Sequence, residues 1–265
     1  MCRHLAYVGP PVPLARLLTG VPHGLFEQSW APRRQRYGTV NADGFGVGWY
    51  PADGPPARYR RAVPIWADGN LPDLARAVRS HAVLAAVRDA TPGTSQDESA
   101  AAPYADGDWL FSHNGAVSHW TRLPDDLGER PSAATLLELE SRCDSALLWA
   151  LARPRLAAGE PPGAVLADLV RRTAAVRPGA RLNLLLTDGR AVAATRHGDT
   201  LWYRAAEGGV CVASEPDAAD GWQEVPEDSL LLATPGSVRS WPLDQAADSA
   251  PLPAHRAQPE RTPTP

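Results

Sequence analysis

The chain has 265 residues, of which 44% are apolar and 21% are charged. These values are typical of a globular protein, and the length allows one large domain or two small ones. The net charge of -4 argues against a surface that binds nucleic acid. Every basic residue apart from histidine is an arginine, so Schiff-base chemistry by a lysine is excluded.

The cysteines and the apolar runs bear on the cellular location. Cys2, Cys143 and Cys211 lie far apart and form no CxxC pair, so neither a disulfide framework nor a structural zinc site is expected. The N-terminus lacks the basic and apolar regions of a secretory signal, and no apolar run approaches the roughly 20 residues that span a bilayer. We predict a cytoplasmic protein without a membrane segment.

Short apolar runs that alternate with Gly, Asp and Pro predict a first group of β-strands. These strands cover residues 3–8, 45–50, 59–63, 82–88 and 109–113.

Apolar residues at helical spacing predict helices at residues 71–80, 144–151 and 162–176. A second group of strands follows, and Asp188-Gly189 indicates a hairpin turn within it. These strands cover residues 182–187, 191–195, 201–204, 209–213 and 229–233. Two largely antiparallel groups of strands with helices between them in sequence favour an α+β fold over repeating βαβ units.

The composition changes from residue 245 onward. Five prolines lie between Pro251 and Pro265, and large apolar residues are few. Such a segment cannot bury enough apolar surface to fold. We predict one domain over residues 2–244 and a disordered tail over residues 245–265.

Cys2 follows the initiator methionine directly. Removal of Met1 would give an N-terminal cysteine, which holds a thiol and an α-amine in one residue. The amine has a pKa of roughly 7.7–8.0, so it can accept a proton near neutrality while the thiolate attacks. N-terminal threonine hydrolases use the same arrangement. The alternative is that Cys2 only begins an apolar strand.

Two segments pair a turn with a residue that could bind a ligand. Residues 41–50 read NADGFGVGWY, and glycines that alternate inside a strand indicate close approach of another backbone or of a ligand. The spacing is wrong for a dinucleotide fingerprint, and a tight turn into a crowded strand is the alternative. In residues 87–93, VRDATPG, Arg88 is either a bidentate carboxylate ligand or a surface ion-pair partner.

Two further segments offer donors and a carboxylate. Asn114-Gly115 is an ordinary turn signal, but facing a thiolate its side-chain amide and a backbone N–H could form an oxyanion hole. Asp144 lies where a helix N-cap would lie, and it could instead face an ammonium group of a substrate.

These segments occur in a recognisable order: a Cys-Arg-x-Leu-like start, a DGxGxGW loop, an RxAT strand end, an HNG turn and an S-x-x-D helix start. Together they resemble the class II glutamine amidotransferases of the N-terminal-nucleophile hydrolase superfamily, over roughly residues 2–240. The resemblance implies a four-layer αββα sandwich of two antiparallel sheets, with the nucleophile at the start of the first strand.

The resemblance also implies roles for individual residues. Cys2 would attack the carbonyl of a γ-glutamyl amide, and Asn114 and Gly115 would stabilise the oxyanion. Arg88, assisted by Thr91, would hold the α-carboxylate of the glutamyl group. Asp144 would bind the α-ammonium of the same glutamyl group. His4 and His113 are interpreted as structural, and Cys143 and Cys211 as small buried hydrophobic residues.

The chain departs from the family pattern at two places. Many relatives have His where this chain has Pro92, and an Asn-x-x-Pro-Phe-like segment is replaced by residues 99–104, SAAAPY. These departures concern the shape of the substrate pocket and the closure of its loop, and they leave the residues for the glutamyl end in place.

The start MCRHLAYVG and the loop DGFGVGWY look most like the free-standing γ-glutamyl hydrolases of ergothioneine biosynthesis. That resemblance implies γ-glutamyl-hercynylcysteine sulfoxide as the small-molecule substrate and no metal or organic cofactor. A glutaminase that supplies ammonia to a separate synthetase and a non-catalytic γ-glutamyl-binding domain are the alternatives. No pattern indicates an oligomeric state.

Overall fold

In the computed structural model, which describes residues 2–91 and 93–248, two antiparallel sheets face each other. Strands and helices are each numbered in chain order. The first sheet contains β1 Arg3–Pro13, β2 Phe45–Trp49, β3 Ala57–Arg61, β4 Arg79–Val87, β9 Trp202–Ala206, β10 Gly209–Ala213 and β11 Gln223–Glu224. Its spatial order is β11-β9-β10-β1-β4-β2-β3, so β1 lies at the centre.

Six strands form the second sheet. They are β5 Tyr104–Asp106, β6 Trp109–Ala116, β7 Arg181–Thr187, β8 Val192–Arg196, β12 Ser229–Thr234 and β13 Ser237–Pro242. The spatial order is β13-β12-β8-β7-β6-β5, and every neighbouring pair is antiparallel.

Helices cover the outer face of each sheet. The α-helices are α1 Leu14–Leu18, α2 Leu25–Gln28, α3 Leu71–Ala77, α4 Leu123–Leu127, α5 Ala133–Leu137, α6 Asp144–Ala157 and α7 Pro162–Val176. Short 3-10 helices occupy Ile65–Ala67, Glu98–Ala100, Trp120–Arg122 and Leu243–Asp248. No α-helix among the described residues has the length and apolar character needed to cross a bilayer.

The alternation of side chains along the central strands creates three apolar layers. On β1, Ala6 and Val8 pack between the two sheets, whereas Leu5 and Tyr7 pack beneath α1, α2 and α3. On β7, Leu185 belongs to the inter-sheet layer, and its neighbours in sequence pack against α6 and α7. The four-layer αββα sandwich is therefore confirmed.

The strands expected from the sequence are present, with ends shifted by a few residues. The helix expected at residues 71–80 is wrong at its end, because α3 stops at Ala77 and β4 begins at Arg79. Arg79 and Ser80 pair instead with Pro13 and Val12 of β1, so strand pairing replaces the last helical turn. Strands β5, β11 and β13 and the short helices were not predicted, since too few residues carry their periodicity.

The last 3-10 helix, Leu243–Asp248, crosses the expected domain boundary at residue 244. Leu243 and Ala246 are buried in the apolar layer that also contains α7. The remainder of the expected tail, residues 249–265, lies outside the described residues, so its disorder stays a prediction.

Candidate active site

Strand pairing places the two segments with the thiol and the guanidinium side by side. Cys2 immediately precedes β1, and Arg88 immediately follows β4. Because Arg3 pairs with Val87 in an antiparallel register, Cys2 lies next to Arg88 at the same end of the sheet. A cavity of about 30 Å³ opens there. The sequence-predicted residues that line it are Cys2, Arg88, Thr91, Gly115 and Asp144.

Arg88 presents a buried cation without a carboxylate partner. Its side chain is 7% exposed, and Nη2 donates to Thr94 Oγ1 at 3.0 Å and to the carbonyl of Ser95 at 2.7 Å. Within residues 2–91 and 93–248, no carboxylate forms an ion pair with it. A buried guanidinium that is held only by neutral acceptors is suited to bind an incoming carboxylate in a bidentate fork.

Asp144 presents the opposite charge across the cavity. It is 5% exposed, Oδ2 accepts from the backbone N–H of Val117 at 2.9 Å, and Oδ1 accepts from the N–H of Ser145 at 2.9 Å. Asp144 is the first residue of α6 and not its N-cap, because Cys143 holds the N-cap position. No basic side chain of the described residues forms an ion pair with Asp144. Backbone donors thus fix the carboxylate at the wall of the cavity.

Gly115 is required by the close approach of two neighbours. A Cβ at this position would overlap the carbonyl oxygen of Arg181 and would lie 2.6 Å from Nε2 of His113. Glycine thus allows the backbone of β6 to line the cavity next to Cys2. The same reasoning applies to Gly46 in the glycine-rich strand, where a Cβ would overlap the carbonyl of Ala102. The close approach of the Ala102 backbone therefore explains the glycine at position 46, as the alternating glycines predicted.

Asn114 is completely buried beside Gly115 but is not among the residues that line the cavity. Its Nδ2 donates to the hydroxyl of Ser214 at 3.2 Å, and its Oδ1 has no hydrogen-bond partner within the described structure. One of the two Nδ2 hydrogens remains for another acceptor. The oxyanion role of Asn114 therefore stays a prediction, and the geometry adds Ser214 as its support.

The two histidines near the cavity lie in hydrogen-bond networks. Nδ1 of His113 is 3.0 Å from Ser145 Oγ, and Nε2 donates to the carbonyl of Arg181 at 2.9 Å. His4 is 1% exposed and contacts Ser112 Oγ through Nδ1 at 3.1 Å. Burial, together with the charge of Arg3, holds the pKa of His4 well below its usual value. A neutral, buried imidazole fits the structural interpretation.

Cys143 and Cys211 differ in exposure: Cys143 is buried as expected, whereas Cys211 is half-buried, so the expectation is wrong for Cys211. Cys143 is buried and lines the same cavity as Cys2, where its Sγ lies 3.1 Å from the hydroxyl of Tyr104. Burial raises the pKa of both thiols, for Cys211 to about 12. Both are thus protonated at neutral pH, and neither resembles a reactive thiolate. Cys143 has, in addition, the polar role of capping α6 that the sequence interpretation did not include.

A buried charge cluster lies directly behind the nucleophile. Arg3 is fully buried, donates from Nε to the carbonyl of Cys2 at 2.9 Å, and lies 4.0 Å from Asp199 and 3.9 Å from Glu215. Burial lowers the pKa of Arg3 and raises that of Asp199, although each charge partly offsets the effect on the other. The cluster fixes the backbone of Cys2 through its carbonyl.

Several residues of the site were not found from the sequence. Thr94 orients Arg88, Ser214 contacts Asn114, and Arg181 approaches Gly115. Ser214 and Arg181 are distant in sequence from their partners, and a threonine near an arginine, as at Thr94, is too common to be a motif. No local sequence pattern therefore indicates these residues. For a metal, the described residues offer one group, His197, Glu227 and Asp228, at the surface and outside the cavity.

Around the cavity lie the thiol of Cys2, the guanidinium of Arg88 and the carboxylate of Asp144, with amide donors alongside. Within the described part of the chain, neither Arg88 nor Asp144 has an ion-pair partner. Such a cavity suits a zwitterionic amino-acid head group whose carbonyl reaches the thiol.

Comparison with known proteins agrees with this chemistry. A family model described as "Glutamine amidotransferases class-II" matches residues 25–208. The γ-glutamyl-hercynylcysteine sulfoxide hydrolase of Mycobacterium tuberculosis is 42% identical over 248 residues, which are 93% of this chain and 98% of the relative. The protein of the same name from Mycolicibacterium smegmatis is 41% identical over 244 residues, 92% of this chain and 100% of the relative.

A solved structure shows the same fold. It is a glutamine aminotransferase class-II domain protein from Silicibacter pomeroyi, with a TM-score of 0.66 and 24% identity, and the match covers 91% of this chain and 99% of that one. Together with the family model and the mycobacterial relatives, the comparison leads to one conclusion. The chain belongs to the class-II glutamine amidotransferases.

Proposed function

We propose that the protein hydrolyses a γ-glutamyl amide bond, with γ-glutamyl-hercynylcysteine sulfoxide of ergothioneine biosynthesis as the substrate. The proposal depends mainly on two buried, opposite charges, Arg88 and Asp144, which line the cavity with Cys2 and form no ion pair with any described residue. The full-length similarity to the mycobacterial hydrolases supports the choice of substrate.

The glutamyl group binds through its two charges. Arg88 holds the α-carboxylate and Asp144 the α-ammonium, while Thr91, which lines the cavity beside Arg88, contributes to the carboxylate side. These contacts leave the γ-carbonyl to face Cys2 and Gly115. Fixing the carbonyl against the nucleophile converts the attack into an intramolecular step.

The reaction proceeds in two steps through a thioester. With Met1 removed, the α-amine of Cys2 takes the thiol proton, and the sulfur attacks the γ-carbonyl carbon. The side-chain amide of Asn114 and the N–H of Gly115 stabilise the oxyanion. The C–N bond breaks, the proton passes to the leaving nitrogen, and the amine product departs. Water then attacks the thioester, which releases glutamate and restores the thiol. Met1 lies outside the described residues.

We also propose that residues 2–244 form the catalytic domain and that the protein is located in the cytoplasm, where Cys2 stays reduced. The test of function is incubation of purified protein with γ-glutamyl-hercynylcysteine sulfoxide and, separately, with glutamine, followed by product analysis. We expect glutamate and hercynylcysteine sulfoxide from the first and little turnover of the second. Efficient hydrolysis of glutamine alone would instead favour a glutaminase that supplies ammonia to a partner.

A further inference from the structure

Two hydrogen-bonding side chains at the wall of the catalytic cavity have no role in the proposed reaction. His113 and Ser145 line the cavity together with Asp144 and Gly115. His113 lies on β6 and is 3% exposed, whereas Ser145, the second residue of α6, is half-buried. Nδ1 of His113 is 3.0 Å from Oγ of Ser145. The pair therefore joins β6 to the start of α6 beside the carboxylate of Asp144.

The hydrogen bonds of His113 determine which of its nitrogens carries the proton. Nε2 lies 2.9 Å from the backbone carbonyl oxygen of Arg181, which can only accept, so Nε2 donates. A neutral imidazole has one N–H, and its Nδ1 is then an acceptor. The hydroxyl of Ser145 is the donor that faces Nδ1. The direction of this hydroxyl is thus set by His113 and, through it, by the backbone of β7.

A serine hydroxyl that donates to His113 keeps lone pairs for a ligand. Its oxygen is 3.5 Å from Oδ1 of Asp144, and the shorter contact, to His113, takes the proton. Two oxygens at this separation can both accept from one nitrogen that lies about 2.8 Å from each. The two Asp144 oxygens accept the backbone N–H groups of Val117 and Ser145 and also retain lone pairs. Asp144 and Ser145 therefore present acceptors side by side.

This set of acceptors matches a primary ammonium group. Such a group has three N–H donors and no acceptor, and its hydrogen bonds to oxygen are among the stronger polar contacts. The carboxylate of Asp144 supplies the opposite charge, and the hydroxyl of Ser145 supplies a further acceptor in a different direction. An acylated nitrogen has one N–H and no charge, so it would leave acceptors of this wall without a donor.

We infer that Oγ of Ser145 binds the α-ammonium of the glutamyl group together with Asp144, and that His113 orients the hydroxyl for this contact. The inference rests on the proposed function and adds to it a binding residue, Ser145, and a positioning residue, His113. The contact is made to the head group and not to the reacting carbonyl, so it stabilises the bound substrate and the transition state equally. Its loss raises KM and leaves kcat unchanged.

The first test removes the hydroxyl and keeps the backbone N–H that donates to Asp144. With γ-glutamyl-hercynylcysteine sulfoxide, Ser145→Ala should raise KM by about tenfold and keep kcat within about twofold, because one hydrogen bond to a charged group is lost. Ser141→Ala is the matched control. Oγ of Ser141 is buried, does not line the cavity and has no hydrogen-bond partner among the described residues, so KM should stay at the wild-type value.

Two competing ligands separate contact with the ammonium from a general loosening of the site. L-glutamate carries the ammonium, and glutarate has the same two carboxylates without it. Ser145→Ala should raise the inhibition constant of L-glutamate by about tenfold and that of glutarate by less than about twofold. An equal rise for both ligands, or a wild-type KM in Ser145→Ala, would overturn the inference and leave the proposed function standing. A wild-type protein that does not hydrolyse the substrate would overturn both.

The positioning role of His113 is tested with two amide side chains. His113→Asn keeps an acceptor oxygen at the δ position, where it faces Ser145, and His113→Gln keeps a donor at the ε position, where it faces the carbonyl of Arg181. We expect a KM close to wild type for His113→Asn and a KM raised by about tenfold for His113→Gln.

A purely structural role of His113 predicts the reverse order, since His113→Gln is the variant that keeps the hydrogen bond to β7. Thermal unfolding of both variants measures that structural contribution separately. A higher KM for His113→Asn than for His113→Gln, or equal KM values in the two variants, would overturn the role of His113. A higher KM for His113→Gln, whichever variant is the more stable, supports it.

Discussion

The hydroxyl of Ser214 accepts a hydrogen bond from the side-chain amide of Asn114 across the two sheets, with 3.2 Å between Oγ and Nδ2. The same oxygen accepts the backbone N–H of His4 at 3.1 Å, and the N–H of Ser214 donates to the carbonyl of His4 at 2.9 Å. His4 is two residues from Cys2. Ser214 therefore fixes the proposed oxyanion donor relative to the strand that carries the nucleophile.

Replacement of Ser214 by alanine is expected to lower kcat by about tenfold with little change in KM, because the amide of Asn114 loses its orientation. Asn114→Ala removes the donor itself and should lower kcat by about 10²–10³-fold. In the double variant, the serine change should have no additional effect, since it acts only through Asn114. Steady-state kinetics of the three variants check this. Additive losses would contradict the positioning role of Ser214.

Removal of the proposed head-group charges is expected to weaken binding of the glutamyl end. Arg88→Ala and Asp144→Asn should each raise KM and lower kcat/KM by roughly 10–100-fold, because each deletes charge-assisted hydrogen bonds. Arg79→Ala is the control, since Arg79 lies in the same strand as the residues leading to Arg88 but is exposed at its other end. Unchanged kinetics in both cavity variants would remove the proposed clamp.

Gly115→Ala should damage stability and activity together. The added methyl group would overlap the carbonyl of Arg181, so β6 or β7 must shift. Overpacking of this kind costs about 1–3 kcal/mol of unfolding free energy. Thermal unfolding and turnover measure both effects. At Gly69, where no atom lies within 4 Å of an added Cβ, the alanine variant should be close to wild type. Equal behaviour of the two variants would argue against close packing at Gly115.

The buried His4 predicts a pH dependence of stability. Burial keeps the His4 pKa well below its usual value, so the unfolded chain binds a proton near pH 6.5 that the folded protein does not bind. Stability therefore falls as pH decreases below about 6.5, by about 1.4 kcal/mol per pH unit for this group. Denaturant unfolding at pH 5–6 measures this dependence. For His4→Asn, the unfolding free energy should change with pH by about 1.4 kcal/mol less per unit than for the wild type. Identical slopes for both proteins would contradict the assignment.

The sequence predicted most of the fold, and it selected residues that the fold brings to one cavity, because both depend on local signals. Short apolar runs between turn residues located β1 and β4, and their antiparallel pairing brings Cys2 beside Arg88. Ser214 and Arg181 were not predicted, since their roles arise from contacts between strands that are distant in sequence.

The N-cap of α6 is Cys143, not Asp144, for a different reason. Asp is a common N-cap residue, which favoured Asp144, yet Cys143 takes that position. Asp144 is drawn instead toward the N–H of Val117, which follows β6 in the second sheet. A tertiary hydrogen bond here outweighs the local preference, and the same bond aims the carboxylate at the cavity.

The proposed mechanism requires that Cys2 form a covalent glutamyl thioester in a protein that has lost Met1. The decisive experiment is intact-protein mass spectrometry after acid quench during turnover of γ-glutamyl-hercynylcysteine sulfoxide. We expect a chain that begins at Cys2, with a fraction carrying one glutamyl group on that residue, and no adduct or turnover in Cys2→Ala. Wild-type turnover by Cys2→Ala, or by a protein that retains Met1, would contradict it.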